Sequence, residues 1–359
     1  MHGGAAERRV LSSGPSRRGV GYALAAAVLF GASTPAAKLL AGEMPSFLLA
    51  GLLYAGSGIG LALWIALRPK TTSPPLERAD FPWLAGAVLS GGVAGPVLLM
   101  IGLAATPAST ASLLLNLEGV FTALIAWFVF RENFDRRIAL GMGLIVAGGV
   151  LASLEPGTPG KLSSAALFVG AACLAWAIDN NLTRKVSAGD PATIAAIKGV
   201  AAGAVNVSIA LSLGSAWPTS TQVVASGLVG LFGYGVSLAL FVVALRELGA
   251  ARTGAYFSIA PFAGVALALA VLGETPATLF WIALPLVAAG VWLHVTERHA
   301  HEHLHETLEH SHSHVHDEHH RHGHDFEWQG AEPHAHAHRH ERLVHSHPHY
   351  PDIHHRHGH

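Results

Sequence analysis

Ten apolar stretches between Val20 and Val295 constrain the fold of this chain more than any other feature. Each is about as long as the roughly 20 helical residues that cross a hydrocarbon core. The connections are short and rich in Gly, Pro and Ser, and we find no inserted soluble domain. The sequence predicts an all-α membrane protein with spans at 20–41, 46–67, 81–104, 108–130, 137–153, 162–179, 192–213, 222–245, 253–272 and 277–297.

The distribution of Lys and Arg predicts the orientation, because short cytoplasmic loops are enriched in these residues. With the N-terminus in the cytoplasm, the loops on the opposite side hold only Lys161. The cytoplasmic side holds fourteen basic residues: Arg8, Arg9, Arg17, Arg18, Arg68, Lys70, Arg78, Arg131, Arg136, Arg137, Arg184, Lys185, Arg246 and Arg252. Since ten spans return the chain to its starting side, we expect a multi-pass protein of the cytoplasmic (inner) membrane with both termini in the cytoplasm.

The two halves of the membrane region resemble each other in sequence. Pro45 matches Pro191 at an offset of 146 residues, and 108–130 lines up with 251–272. Each half has five spans, and because five is odd the second half must be inverted. Inverted repeats place a binding site at their interface near the bilayer midplane. We predict a basic N-terminus, two five-helix repeats and a tail, at 1–18, 19–154, 160–297 and 298–359.

The motifs within the repeats resemble those of a known family. They are 30–38 (Phe-Gly-Ala-Ser-Thr-Pro-Ala-Ala-Lys), 106–132 from Thr-Pro-Ala-Ser-Thr-Ala to Phe-Arg-Glu, and 250–274 from Ala-Ala-Arg-Thr to Leu-Gly-Glu. Together with the ten-span layout over 19–297, they resemble the EamA type of the drug/metabolite transporter superfamily. The resemblance implies an alternating-access carrier with a central cavity, but relatives carry amino acids, sugars, nucleotide-linked metabolites and drugs. One departure is Glu118, which stands opposite Pro261, the residue commoner in the family.

Ionisable residues within the predicted spans are few. On insertion scales such a group costs about 2.5–3.5 kcal/mol at the centre of a helix, so it usually faces a cavity or a partner. Glu118 is the strongest candidate, because a short carboxylate in mid-span cannot reach the headgroups. Structural ion pairs are the alternative, above all for Lys38 and Asp179. The candidate cavity and coupling residues are Glu118, Asn116, Asp179, Asn180, Lys198, Lys38 and Tyr256.

Glycine and proline are concentrated in the third and eighth spans, which occupy equivalent places in the two halves. Such residues let helices approach closely or break. We therefore expect both spans to line the pore. The residues are Gly91, Gly92, Gly95 and Pro96 in the third span, and Gly227, Gly230, Gly233 and Gly235 in the eighth.

The segment 299–359 holds 23 of the 25 histidines and has no apolar periodicity, so we expect a disordered tail. Neutral imidazole binds transition metals well. The sequence predicts a labile buffer or sensor of Ni, Zn or Co, and no other cofactor. A pH-responsive tail is the alternative, because imidazole titrates near about 6.5. The predicted ligands are His299, His301, His303, His305, His310, His312, His314, His316, His334, His336, His338, His340, His345, His347 and His349.

Three functions are open. The first is a carrier of divalent transition metal whose tail captures cytoplasmic ions, and the second is a metabolite or drug exporter whose tail only regulates it. The third is a membrane-anchored metal sensor or store. The presence of the ionisable residues Glu118 and Lys198 within the spans argues against it. The lack of His, Cys or Met clusters within the spans argues against the first. We expect no enzyme, because no nucleophile–base pattern or phosphate loop occurs.

The expected partners follow from the same reasoning. They are the lipid bilayer and a small solute or metal ion, with no nucleic acid. A homodimer, the direction of transport and the coupling ion are left open by the sequence.

Overall fold

The computed structural model confirms an all-α membrane region. It describes residues 17–69, 76–130, 136–155, 157–158, 160–186, 189–296, 300–305, 309–314, 334–339 and 343–348. Among these residues, nine segments are long and apolar enough to cross a membrane. The fifth predicted span is the 17-residue helix Arg136–Ala152, and it completes the ten.

Fourteen α-helices build the spans. The first repeat contains α1 (Arg17–Ala41), α2 (Ser46–Leu67), α3 (Phe81–Ala87), α4 (Gly95–Ala105), α5 (Ala108–Leu114), α6 (Leu117–Phe130) and α7 (Arg136–Ala152). The second contains α8 (Ser164–Thr183), α9 (Pro191–Ser212), α10 (Ser220–Gly230), α11 (Ser237–Leu248), α12 (Ala250–Phe257), α13 (Ala260–Val271) and α14 (Thr278–Val295). Short 3-10 helices occur at Arg78–Asp80 and Arg184–Val186.

Both repeats interrupt the same two spans at equivalent positions. A π-helix at Val88–Ala94 joins α3 to α4, and a second at Leu231–Val236 joins α10 to α11. Their first residues are 143 positions apart (88 and 231). The same offset relates the turn at 115–116, between α5 and α6, to the turn at 258–259, between α12 and α13. The two repeats therefore share a backbone with two matching discontinuities.

Glycines join the repeats where equivalent spans cross. In the crossing of α2 with α9, a Cβ atom on Gly58 would lie 2.4 Å from the backbone nitrogen of Val200. In the crossing of α7 with α14, a Cβ on Gly290 would lie 2.5 Å from the carbonyl oxygen of Gly141. Apolar surface gives no driving force between helices in lipid, so close backbone approach at small residues supplies the packing instead.

Two charged side chains cap helix ends on the face opposite the termini. The Glu274 carboxylate accepts hydrogen bonds from the backbone N–H groups of Ala108, at 2.6 Å, and Ser109, at 2.8 Å. The Lys38 ammonium donates to the carbonyl oxygens of Leu103, at 2.6 Å, and Thr106, at 2.9 Å. The carbonyl oxygens at the end of α4 and the N–H groups at the start of α5 lack partners within their own helices. Lys38 therefore binds the end of α4, and its ammonium makes no hydrogen bond to the other predicted site residues.

An ion pair joins the repeats on the face that carries the termini. Arg68, at the end of α2, pairs with Asp190, which caps α9 by accepting from the Thr193 N–H at 2.9 Å. Burial tends to raise the pKa of Asp190, but hydrogen bonds from Arg68 and Thr193 outweigh burial and hold that pKa below its usual value. This stabilisation is therefore complete above the ordinary carboxyl pKa and is lost only as acidification passes the lowered one.

The tail contains strands where the sequence predicts none. Strand β1 (Ala300–His305) pairs antiparallel with β4 (Leu343–Pro348), and β2 (Glu309–His314) pairs antiparallel with β3 (His334–Arg339). This differs at those residues from the prediction of a disordered tail. The physical reason is that a His-x-His repeat has the two-residue period of a strand. The rest of the predicted tail lies outside the described residues.

The glycine crossing predicts a position-dependent effect of one methyl group. Gly58→Ala should destabilise the protein by about 1–3 kcal/mol, because the new Cβ overlaps backbone that cannot move freely. Gly170→Ala is the matched control, since a Cβ there meets nothing within 4 Å. The measurement is the thermal midpoint of the purified protein in detergent. Equal midpoints for the two variants would show that the crossing is not closely packed.

Candidate functional site

Four of the seven predicted site residues come together as two polar pairs. The Asn180 side-chain amide donates to the Glu118 carboxylate at 2.8 Å. The Lys198 ammonium forms an ion pair with Asp179. The helix α8 brings the pairs together, because it carries Asp179 and Asn180 on adjacent residues. The predicted span ended at Asp179, but α8 continues to Thr183, which places all these residues within helices.

The broken fourth span positions Glu118. Residues 115–116 form a turn, α6 begins at Leu117, and Glu118 lies in the first turn of that helix. A helix N-terminus carries partial positive charge, which favours a carboxylate. Glu118 is half-buried and Asn180 is exposed. No Lys, Arg or His of the described residues forms an ion pair with Glu118, so its carboxylate is open to a proton or to a ligand.

The Asp179–Lys198 pair is more enclosed. The Thr183 hydroxyl donates to Asp179 at 2.8 Å and lies 3.1 Å from the Lys198 ammonium, from which it accepts. The Asp179 carboxylate also packs directly on Gly91, where a Cβ atom would come within 1.9 Å of it. The two charges neutralise each other. Because Asp179 pairs with Lys198 of α9 and also packs on Gly91, it holds α8, α9 and the third span together.

The π-helix of the third span exposes carbonyl oxygens to side chains. The Gly91 oxygen accepts hydrogen bonds from the Tyr54 hydroxyl and the Trp176 indole, both at 2.9 Å. The Gly92 oxygen accepts from the buried Asn206 amide at 3.0 Å. At membrane depth, backbone groups released by a break must find such partners. The π-helix therefore fixes two large aromatic side chains beside the polar pairs.

An aromatic row extends from this point into the second repeat; we define it as Tyr54, Tyr234, Phe30, Phe257 and Phe241. Neighbouring ring centroids are separated by 6.0, 5.8, 5.4 and 4.9 Å in that order. Aromatic walls with a few converging polar groups are typical of small-molecule sites. The aromatic row and the two polar pairs are the candidate site.

Sequence reasoning missed the roles of Tyr54 and Trp176. One signal was present, because Trp176 matches Phe30 at the repeat offset of 146 residues and both rings belong to this region. Nothing in the sequence distinguished Tyr54 from a packing residue, since its partner is a backbone oxygen that only the π-helix exposes.

The charged residues of the site do not recur at the equivalent positions of the other repeat. A Cβ on Gly233 would approach the Cβ of Ser33 to 2.5 Å, which parallels the contact between Gly91 and Asp179. Ser33 is uncharged and donates to the Phe30 carbonyl at 2.6 Å. The positions equivalent to Asp179, Asn180, Lys198 and Glu118 are occupied by Ser33, Thr34, Leu52 and Pro261.

Three predicted site residues lie elsewhere. Asn116 is buried, and its side-chain amide donates a hydrogen bond to the Leu113 carbonyl at 2.9 Å. It therefore supplies a hydrogen bond to the backbone where the helix is broken. Lys38 binds the end of α4. Tyr256 lines a separate groove between α12 and α14. Hydropathy predicted the depth of each residue along its span, but not the direction in which its side chain points.

No metal centre is found in the described part of the chain, where no cluster of three or more His, Cys, Asp or Glu residues could hold an ion. The predicted tail ligands fall into two groups. Those on the strands are His301, His303, His305, His310, His312, His314, His334, His336, His338, His345 and His347. Those outside the described residues are His299, His316, His340 and His349.

Known proteins resemble this chain in fold and sequence. A crystal structure of a protein that is 19% identical superposes with a TM-score of 0.57 over 78% of this chain and 97% of that chain, which shows a shared fold. An uncharacterized transporter of Methanothermobacter thermautotrophicus is 28% identical over 287 residues, which cover 75% of this chain and 84% of the relative.

Two shorter relatives match part of the chain. Both are described as probable 4-amino-4-deoxy-L-arabinose-phosphoundecaprenol flippase subunits ArnE. The protein from Erwinia tasmaniensis is 42% identical over 97 residues, or 27% of this chain and 89% of the relative. The protein from Pseudomonas fluorescens is 38% identical over 81 residues, or 23% of this chain and 70% of the relative.

A family assignment agrees with the two-repeat architecture. The sequence pattern of the EamA-like transporter family matches residues 17–154 and, a second time, residues 163–296. Because the two matches together cover most of the chain, the protein belongs to the EamA-like transporter family.

Proposed function

We propose that the protein is a secondary transporter that carries a small, amine-bearing organic solute by alternating access. The observation that carries the proposal is the Glu118 carboxylate, which lies at a broken helix beside an exposed amide and forms no ion pair among the described residues. Membership of the EamA-like family supports transport of a small solute. Transport needs no covalent chemistry, so we infer that the protein is not an enzyme.

The chemistry of the site favours a cation over an anion. Glu118 offers a negative charge, and the aromatic row offers ring faces that attract cations. The Asp179–Lys198 pair adds no net charge, so it does not offset this preference. The two ArnE relatives are named for a molecule that contains an amino group, which agrees with an amine as the recognised group.

In the proposed mechanism, Glu118 binds either a proton or the solute. A carboxylate that must be neutral or paired to remain at membrane depth couples the two, because release of one ligand permits binding of the other. The turns at 115–116 and 258–259 and the two π-helices supply the points at which the spans bend. Inverted repeats rock against each other around a site of this kind.

Replacement of one residue tests the coupling. Glu118→Gln should lower proton-coupled transport at least about 10-fold, because the amide can no longer exchange a proton. Proton release from everted vesicles after addition of individual amines from a panel, followed with a pH-sensitive dye, gives the measurement.

The control is Glu155→Gln, which removes a loop carboxylate that pairs with Lys161 at 2.7 Å and lies outside the site. This variant should keep the wild-type rate. A Glu118→Gln protein with wild-type rate and unchanged pH dependence would leave Glu118 with a structural role and would refute the mechanism.

We also propose that the tail binds Ni, Zn or Co as a buffer or sensor. This keeps metal-ion transport as the second candidate function. The supporting observation is the backbone register of β2 and β3, in which histidine faces histidine three times, at His310 and His338, His312 and His336, and His314 and His334. No cluster of three or more possible ligands is found among the described residues, the four strands included, which is why the organic solute is preferred.

The tail proposal predicts pH-dependent metal binding. Full-length protein should bind several Ni²⁺ or Zn²⁺ ions at about pH 7.5 and lose them near about pH 5, because protons compete for neutral imidazole. A protein that ends at Arg298 should bind none of them. Calorimetry on both proteins gives the stoichiometry, and equal binding by the two would exclude the tail as the site.

We propose that the protein lies in the cytoplasmic (inner) membrane with both termini in the cytoplasm, on the basis of the basic residues of its loops. In a Cys173→Ala background, Thr158→Cys should react with an impermeant maleimide in intact cells. Arg136→Cys should react only after permeabilisation. Both positions are exposed and lie on opposite faces, and the reverse labelling pattern would overturn this orientation.

A further inference from the structure

A groove lies between α12 and α14, within the second repeat and apart from the candidate site. Its volume is about 560 Å³. Ile259 and Trp292, two of its lining residues, are 43% and 67% exposed, so the groove opens sideways on the helix bundle. None of its lining residues belongs to the two polar pairs or to the aromatic row. They include Arg252, Tyr256, Ile259, Phe262, Ala288 and Trp292.

The groove is apolar along its length and positively charged at one end. Arg252 is exposed near the start of α12, where the ninth span enters the membrane on the face of the termini. Among the described residues it has no ion-pair partner. Phe262 lies ten residues further on, which corresponds to about 15 Å of helix. That distance is about half of a 30 Å hydrocarbon core.

These dimensions match one leaflet of the bilayer. A phosphate group at the membrane surface would reach the Arg252 guanidinium, which binds phosphate with two parallel hydrogen bonds. An acyl chain attached to it would follow the apolar wall toward Phe262. Tyr256 and Trp292 belong to the two residue types that are enriched at the membrane–water interface, where the polar end of the ring contacts water.

We propose that this groove binds an anionic phospholipid of the leaflet on the termini side. The charge of Arg252 selects the anionic headgroup, and the length of the groove selects a lipid over a soluble anion. The turn at 258–259 contributes two lining residues, so the lipid contacts the point at which the ninth span bends. The inference does not depend on the substrate of the polar pairs.

Lipid retention by the purified full-length protein tests the proposal. Native mass spectrometry in detergent, with dioleoylphosphatidylglycerol or dioleoylphosphatidylcholine added, should show retention of the anionic lipid only. Arg252→Gln should weaken that retention at least about 10-fold, which corresponds to about 1.4 kcal/mol. Arg252→Lys should restore part of it, because the charge remains. Arg78→Gln is the matched control, since Arg78 is an exposed basic residue on the same face and outside the groove.

A second variant separates the groove from the charge. Ala288→Phe keeps Arg252 but fills the groove, and it should also lose the anionic lipid. Thermal midpoints without added lipid show whether each variant is folded. Equal retention of the two lipids, or unchanged retention by both Arg252→Gln and Ala288→Phe, would overturn the proposal. So would a dimer that Ala288→Phe dissociates, because a second copy of the chain would then occupy the groove.

Discussion

The structure depends on one constraint: every backbone polar group at membrane depth must find a partner within the protein. Regular helices meet it without help, but four of the ten spans are interrupted. In the third and fourth spans, side chains donate hydrogen bonds to backbone oxygens at the interruption. Tyr54 and Trp176 serve the Gly91 oxygen, and Asn116 serves the Leu113 oxygen. The cost of breaking a helix is thus offset by side chains that are fixed in place, and Glu118 lies in the helix that begins at one such break.

The two repeats agree in backbone and differ in charge. Both contain a π-helix and a turn at matching positions, yet each charged residue of the site has an uncharged equivalent in the other repeat. The Asp179–Lys198 pair is internally neutral. The Glu118 carboxylate forms no ion pair among the described residues. The net negative charge of the site therefore lies on this one carboxylate. The two repeats thus share a backbone, but the charge of the site is asymmetric.

Much of this was predictable, for physical reasons that also set the limit. Membrane thickness fixes span length, so hydropathy predicted the spans, and the aligned residues of the two halves predicted the repeat. The cost of burying charge singled out Glu118, Asp179, Lys198 and Lys38. Hydropathy gives depth but not rotation about the helix axis, which is why Tyr256 was expected in the cavity and lies in a different groove. The π-helices were not predictable, because glycine marks close approach and helix breaks alike. Without knowledge of the π-helix at Val88–Ala94, the Gly91 oxygen could not be identified as the partner of Tyr54.

The shared interruptions also order events in the history of the chain. A π-helix and a turn that recur after 143 residues were present in one five-helix unit before it was copied. Such a unit has an odd number of spans, so two molecules inserted in opposite directions would have formed the same arrangement without fusion. Fusion then freed the two repeats to diverge, and a charged residue whose equivalent in the other repeat is uncharged is a trait that a pair of identical subunits could not have had.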